Sequence, residues 1–135
     1  MKVKLNDIIM GLESTDEETR VYYSRKKNEL VYFGDYIEND DEEEELLDED
    51  DLIALPDRYE INEYRMMEDF IKTVDDVKDH NCLIISIQGS GAFRRFKDMA
   101  INLGLIDKWY EFRDKAYRYI AIDWCNRNHL EFEEQ

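Results

Sequence analysis

Ser86-Ile87-Gln88-Gly89-Ser90-Gly91-Ala92-Phe93-Arg94-Arg95-Phe96-Lys97-Asp98 is the stretch from which the rest of the chain is read. Gly89 and Gly91 accept positive φ at little cost, so one helix can end there and the chain can turn. Ser90 is suited to cap the next segment. Downstream, Phe93, Phe96, Ala100 and Leu103 recur at steps of three and four, which predicts one apolar helix face. Arg94, Arg95 and Lys97 then fall in or beside the first turn, where the helix's own partial positive charge disfavours them. A negative partner is therefore expected. An internal carboxylate is the simpler choice in a chain with 34 acidic residues. The alternative is an external anion, because free backbone N–H groups and arginines together suit phosphate or carboxylate. Neither G-x-x-x-x-G-K-[ST] nor G-x-G-x-x-G is present, so this is not a nucleotide fingerprint.

The corner is anomalous because the chain is acidic, with a formal net charge of −16 over 135 residues. That length predicts one domain over residues 1–135. The acidity is concentrated: residues 35–51 hold twelve carboxylates and no Lys or Arg. Without those twelve the net charge falls from −16 to −4. A nucleic-acid mimic would spread its carboxylates over the whole surface. A run of like charge instead predicts an extended, mobile loop at 38–51. No apolar run approaches the roughly 20 residues of a membrane span, and Met1-Lys2-Val3-Lys4-Leu5-Asn6-Asp7 lacks a signal-peptide core, so the expected place is the cytoplasm, with no membrane partner. Cys82 and Cys125 then read as reduced core residues, without the spacing of a zinc site.

Along the chain, Val3, Leu5, Ile8, Ile9 and Leu12 have helical spacing, with Gly11 weakening its end. Thr19–Ser24 and Glu29–Phe33 flank Arg25-Lys26-Lys27-Asn28 and predict a β-hairpin with a solvated cationic tip. Leu46, Leu47, Leu52 and Ile53 interrupt the acidic run, as loop anchors or as one amphipathic turn. Pro56 marks a boundary and Asp57 can cap the helix after it. Tyr64, Met67, Phe70, Ile71 and Val74 predict an amphipathic helix of about four turns from Glu60. Asp75-Asp76 suits a break and a new start. Residues 81–87 fit either a strand or a helix face built on Val77, Leu83, Ile84 and Ile87; helix is preferred. Asn102-Leu103-Gly104 is a stop. Trp109, Phe112, Ala116, Ile120 and Trp124 predict a long last helix ended by Asn126-Arg127-Asn128, with a polar tail beyond it.

Chemistry is sparse. His80 and His129 stand near helix ends, where solvated or capping roles are expected, and Ser24, Ser86 and Ser90 have no recognisable base. The acidic run lacks the glycine of a calcium loop. Asp98 and Asp114 neighbour Arg94, Arg95 and Arg113 in sequence and are expected to answer those charges. The aromatic series through Trp109, Tyr110, Phe112, Tyr117, Tyr119 and Trp124 is mostly core by spacing, with Tyr110 and Tyr117 as candidates for exposure. An aromatic–arginine patch of that kind suits protein recognition or base stacking.

From Leu55 to Trp124 the ordered blocks Leu55-Pro56, Glu63-Tyr64-Arg65-Met66-Met67-Glu68-Asp69-Phe70-Ile71, Gln88–Asp98, Trp109-Tyr110-Glu111-Phe112-Arg113-Asp114 and Ala121-Ile122-Asp123-Trp124-Cys125 resemble the bacterial uncharacterised protein family 0158. The resemblance extends loosely to the N-terminal helix and hairpin, and makes 38–51 a variable insertion. It implies a small cytosolic α+β protein without an assigned activity, and transfers no catalytic residue. The fold expected is α+β: a short N-terminal helix, an antiparallel hairpin, and a C-terminal bundle of roughly four helices, packed around Phe70, Phe93, Phe96, Phe112 and Trp124. The function expected is a non-catalytic regulatory or protein-interaction domain. The alternatives are a binder of a phosphate-bearing ligand or nucleic acid at Gly89-Ser90-Gly91, and an enzyme of unrecognised type. The candidate binding residues for an anion or a partner are Gly89, Ser90, Gly91, Arg94, Arg95, Lys97, Tyr110 and Arg113. No catalytic residue, metal ligand or cofactor is assigned.

Overall fold

The computed structural model describes residues 2–16, 18–34 and 51–134. The acidic loop expected at 38–51 lies outside the described residues except for Asp51. The fold is α+β, in the order β1 (Val3–Lys4), α1 (Leu5–Ser14), β2 (Thr19–Ser24), β3 (Glu29–Gly34), β4 (Leu52–Ala54), α2 (Arg58–Ile61), α3 (Glu63–Lys72), α4 (Val77–Ser86), α5 (Ala92–Asn102), α6 (Ile106–Arg127) and β5 (Phe132–Glu133). It divides into two compact units, one formed by residues up to Ile61 and from Tyr117, the other by Asn62–Ala116.

In the first unit β2 and β3 form the expected hairpin, with Thr19 opposite Gly34 and Ser24 opposite Glu29. Asn28 turns it at φ 50°, a conformation that asparagine tolerates, and its side chain accepts a 2.7 Å hydrogen bond from the Tyr23 hydroxyl. Leu52 and Ile53 are neither loop anchors nor an amphipathic turn. They lie in β4, which pairs with the other edge of β2. The pairing is locked by Asp51, whose carboxylate accepts from the Lys26 N–H at 2.7 Å and the Ser24 hydroxyl at 2.8 Å. Those two bonds hold the Asp51 carboxyl below its usual range.

Helix α1 approaches the sheet closely because position 11 has no side chain. A Cβ on Gly11 would come within 2.7 Å of Leu30 Cδ1 and 2.9 Å of Leu55 Cδ2. Trp124, expected in the helical core, belongs to this unit instead. Its indole N–H donates to the Ala54 carbonyl at 2.9 Å, and its ring meets Tyr23 edge-on. Tyr117 and Cys125 are fully buried, so the expected exposure of Tyr117 is overturned. The polar tail is also more than a tail: β5 runs parallel to β1, pairing Val3 with Phe132.

The second unit is helical. The helix expected to run from Glu60 is broken at Asn62, which takes φ 52° and caps α3 by accepting from the Arg65 N–H. Asp57 caps α2, in the first unit, and Asp76 caps α4 in the second, as expected. Residues 81–86 are helical. Of the helix face read there, Leu83 and Ile87 are buried, but Val77 and Ile84 point to solvent. Phe70, Phe96, Trp109 and Phe112 form the core, meeting edge-on at centroid distances from 4.8 to 6.1 Å, with Trp109 and Phe112 nearly parallel at 6.4 Å. Phe93 does not join them: it is 47% exposed.

Candidate functional site

The corner between α4 and α5 is built by two glycines. Gly89 and Gly91 both sit at φ +76°, where a Cβ is strained whatever space surrounds it. Gly91, not Ser90, occupies the N-cap of α5, so no side chain caps this helix. Ser90 contributes its carbonyl instead.

That carbonyl is one of three that Arg95 gathers. The Arg95 Nε donates to Ser86 O at 3.1 Å, Nη1 donates to Ser90 O and Nη2 donates to Gln88 O. Arg95 thus stands within the first turn of α5, but its charge reaches back over the C-terminus of α4. There the orphaned carbonyls carry partial negative charge and need donors. The oxygens expected from a carboxylate or an external anion are supplied by the backbone, and the planar fork of guanidinium suits three diverging acceptors.

The neighbouring cations differ. Arg94 and Lys97 are exposed, and neither has a hydrogen bond or ion pair among the described residues. Arg113 is answered by Glu63 on α3 at 2.9 Å, not by Asp98 or Asp114, and both partners are largely shielded from solvent. Tyr110 is half exposed on α6. The eight residues singled out therefore separate. Gly89, Ser90, Gly91 and Arg95 form one hydrogen-bonded turn, Arg113 braces the helices, and Arg94, Lys97 and Tyr110 face solvent.

The face of α5 also shifts from the one read in the sequence. Ala92, Phe96 and Ala100 are buried at spacing i, i+4, i+8. This turns Phe93, Lys97 and Ile101 outward as a second stripe with the same spacing. Ile101 is 57% exposed, and Ile85 on α4 is more exposed still. Reading Phe93 as core concealed this stripe; the Ala-Phe-Ala period beside it was the signal that would have found it.

Of the histidines, His80 Nδ1 lies 3.0 Å from the Ile71 carbonyl near the end of α3, and His129 sits in the turn after α6 at φ 57°. Burial pushes the Cys125 thiol up to about 11. Among the described residues no group of His, Cys, Asp and Glu is placed to hold a metal ion, and no helix is long and apolar enough to cross a membrane.

An acidic α+β chain with one glycine-hinged, cation-bearing helical corner is the class that the geometry defines. The model of the Uncharacterised protein family (UPF0158) matches residues 1–135, and the chain belongs to that family. No curated protein and no solved structure matches it.

Proposed function

We propose that this is a non-catalytic cytoplasmic interaction protein, and that the exposed stripe of α5 docks on a partner segment combining apolar and acidic side chains. The observation that carries the reading is the alternation of Phe93, Arg94, Lys97 and Ile101 on one solvent-facing stretch of a helix whose other face is fully packed. Exposed aromatics beside arginine are the composition of interface anchors. In a chain of net charge −16 the long-range field repels an acidic partner. Phe93 and Ile101 would therefore supply affinity, while Arg94 and Lys97 would select.

A photo-crosslinking side chain placed at Phe93 or at Ile101, in the full chain and in the cells that make it, tests this. Discrete adducts are expected from both positions, lost when Arg94→Glu and Lys97→Glu are added. A third probe at exposed Tyr119 should give none. Equal, diffuse adducts at all three positions would retire the reading. The phosphate alternative would draw on the first-turn N–H groups of α5 and on Arg94, with Arg95 joining only by releasing its carbonyls. Titration with inorganic phosphate and with a single-stranded oligonucleotide, monitored at the amide resonances of residues 92–94, separates the two readings.

A further inference from the structure

We propose that the edge of β3 and the groove between it and α1 form a second docking site, which takes an extended segment of a partner protein as an added strand. The groove, about 380 Å³, is lined by Val3, Lys4, Ile8, Met10, Leu30 and Tyr32 among others, with Asp7, Tyr23, Asn28 and Glu29 completing its wall.

The register of the sheet makes the edge specific. The strand order is β3-β2-β4, so β3 has one neighbour among the described strands. On β2, Val21 accepts from Leu55 and Arg25 donates to Asp51, which places the odd-numbered residues' backbone groups toward β4. The even-numbered residues, Arg20, Tyr22 and Ser24, therefore face β3 and engage Phe33, Val31 and Glu29. Leu30 and Tyr32 are left with N–H and C=O directed away from β2. The side chains of the same two residues line the groove, so an added strand would find backbone partners at the residues whose side chains it packs against.

Sheet edges are ordinarily blunted by shortness, lysine or proline. The β4 edge obeys that rule, with three residues and Pro56 close behind. β3 does not: it runs Glu-Leu-Val-Tyr-Phe-Gly with no lysine or proline. The groove also keeps apolar surface in solvent, with Met10 60% and Tyr32 43% exposed.

Charge selects the occupant. The Asn28 side chain donates to the Lys2 carbonyl, which brings the N-terminal lysines Lys2 and Lys4 to the hairpin tip bearing Arg25, Lys26 and Lys27. Against these five cations stand Asp7 and Glu29 in the groove wall, Glu133 beside Lys4 in the sheet, and Asp51, which is bound to the tip. The occupant is thus a strand with apolar side chains at alternate positions and carboxylates at the end that meets the tip.

Panning a random dodecapeptide library on the full-length chain tests this. The peptides recovered should alternate apolar residues and carry acids toward one end. Bound to the protein, they should slow hydrogen exchange of the Leu30 and Tyr32 amides. Tyr32→Pro removes an outward N–H without breaking a bond to β2, so it should weaken those peptides at least tenfold while leaving the hairpin resonances in place. Met10→Glu should do the same from the α1 side and provides the check if Tyr32→Pro fails to fold. Ser substitutions at Phe93 and Ile101 should leave peptide binding unchanged, which separates this site from the α5 stripe. Recovery of no patterned peptide, or equal binding to both variants, overturns the proposal. So does a concentration-dependent dimer abolished by Tyr32→Pro, which would make a second copy the occupant.

Discussion

Arg94 and Arg95 are adjacent, identical in chemistry, and engaged in different work. The Arg95 side chain donates to three carbonyls at and just beyond the end of α4, whereas the Arg94 side chain has no hydrogen bond or ion pair among the described residues. Charge-assisted bonds are worth more than neutral ones, but these are partly solvated, so Arg95→Ala should cost about 1–2 kcal/mol by thermal or denaturant unfolding. Arg95→Lys should recover only part of that, since an ammonium cannot span the fork. Arg94→Ala should stay within about 0.5 kcal/mol, as exposed substitutions do. The sequence made the anomaly of these cations legible but not its resolution. With 34 carboxylates available, a side-chain partner looked natural, while the answer came from backbone only nine residues back, exposed by the glycine turn.

At the scale of elements, what was legible had a long period or strong local chemistry. The hairpin, the helices from α3 to α6, and the caps at Asp57 and Asp76 arise from runs of alternating or helical spacing and from side chains that satisfy first-turn N–H groups. β1, β4 and β5 have two or three residues each, too few to carry a period, and exist only because of distant partners. The break at Asn62 was hidden because its flanks keep helical spacing. It should matter energetically. Asn62→Ala loses the cap on Arg65 and puts at positive φ a residue that tolerates it less well than asparagine, an expected loss of about 1–2 kcal/mol. Asn62→Gly keeps the conformation and should cost clearly less in the same unfolding measurement. Equal losses would mean that the left-handed turn does not limit α3.

At the scale of the molecule, stability should fall at both ends of the pH range. Asp16 and Asp51 have lowered pKa values, chiefly from backbone N–H bonds, so their contribution is complete above the ordinary aspartate range near 4 and is lost as acid carries pH through the lower folded values. Cys125 moves the other way, from 9.0 to about 11 by burial. Its contribution is complete below pH 9 and is lost as pH climbs through the raised folded value. Cys125→Ala should flatten part of that alkaline limb in pH-dependent unfolding, and Tyr23, raised by desolvation, should account for some of the remainder. The family and α+β class were legible from ordered blocks, but the placement of Trp124 beside Tyr23 was not. For Trp124 the helical spacing pointed to burial, and only the folded chain shows in which core.

The division of labour at the α4–α5 corner is tested most directly by measuring unfolding and crosslinking on the same pair of variants, Arg95→Ala and Arg94→Glu. Arg95→Ala is expected to lower the midpoint of unfolding while the adduct from position 101 persists below that midpoint. Arg94→Glu is expected to leave the midpoint in place and weaken the adduct. The reverse pattern, with Arg94 stabilising the fold and Arg95 carrying the contact, would contradict the account.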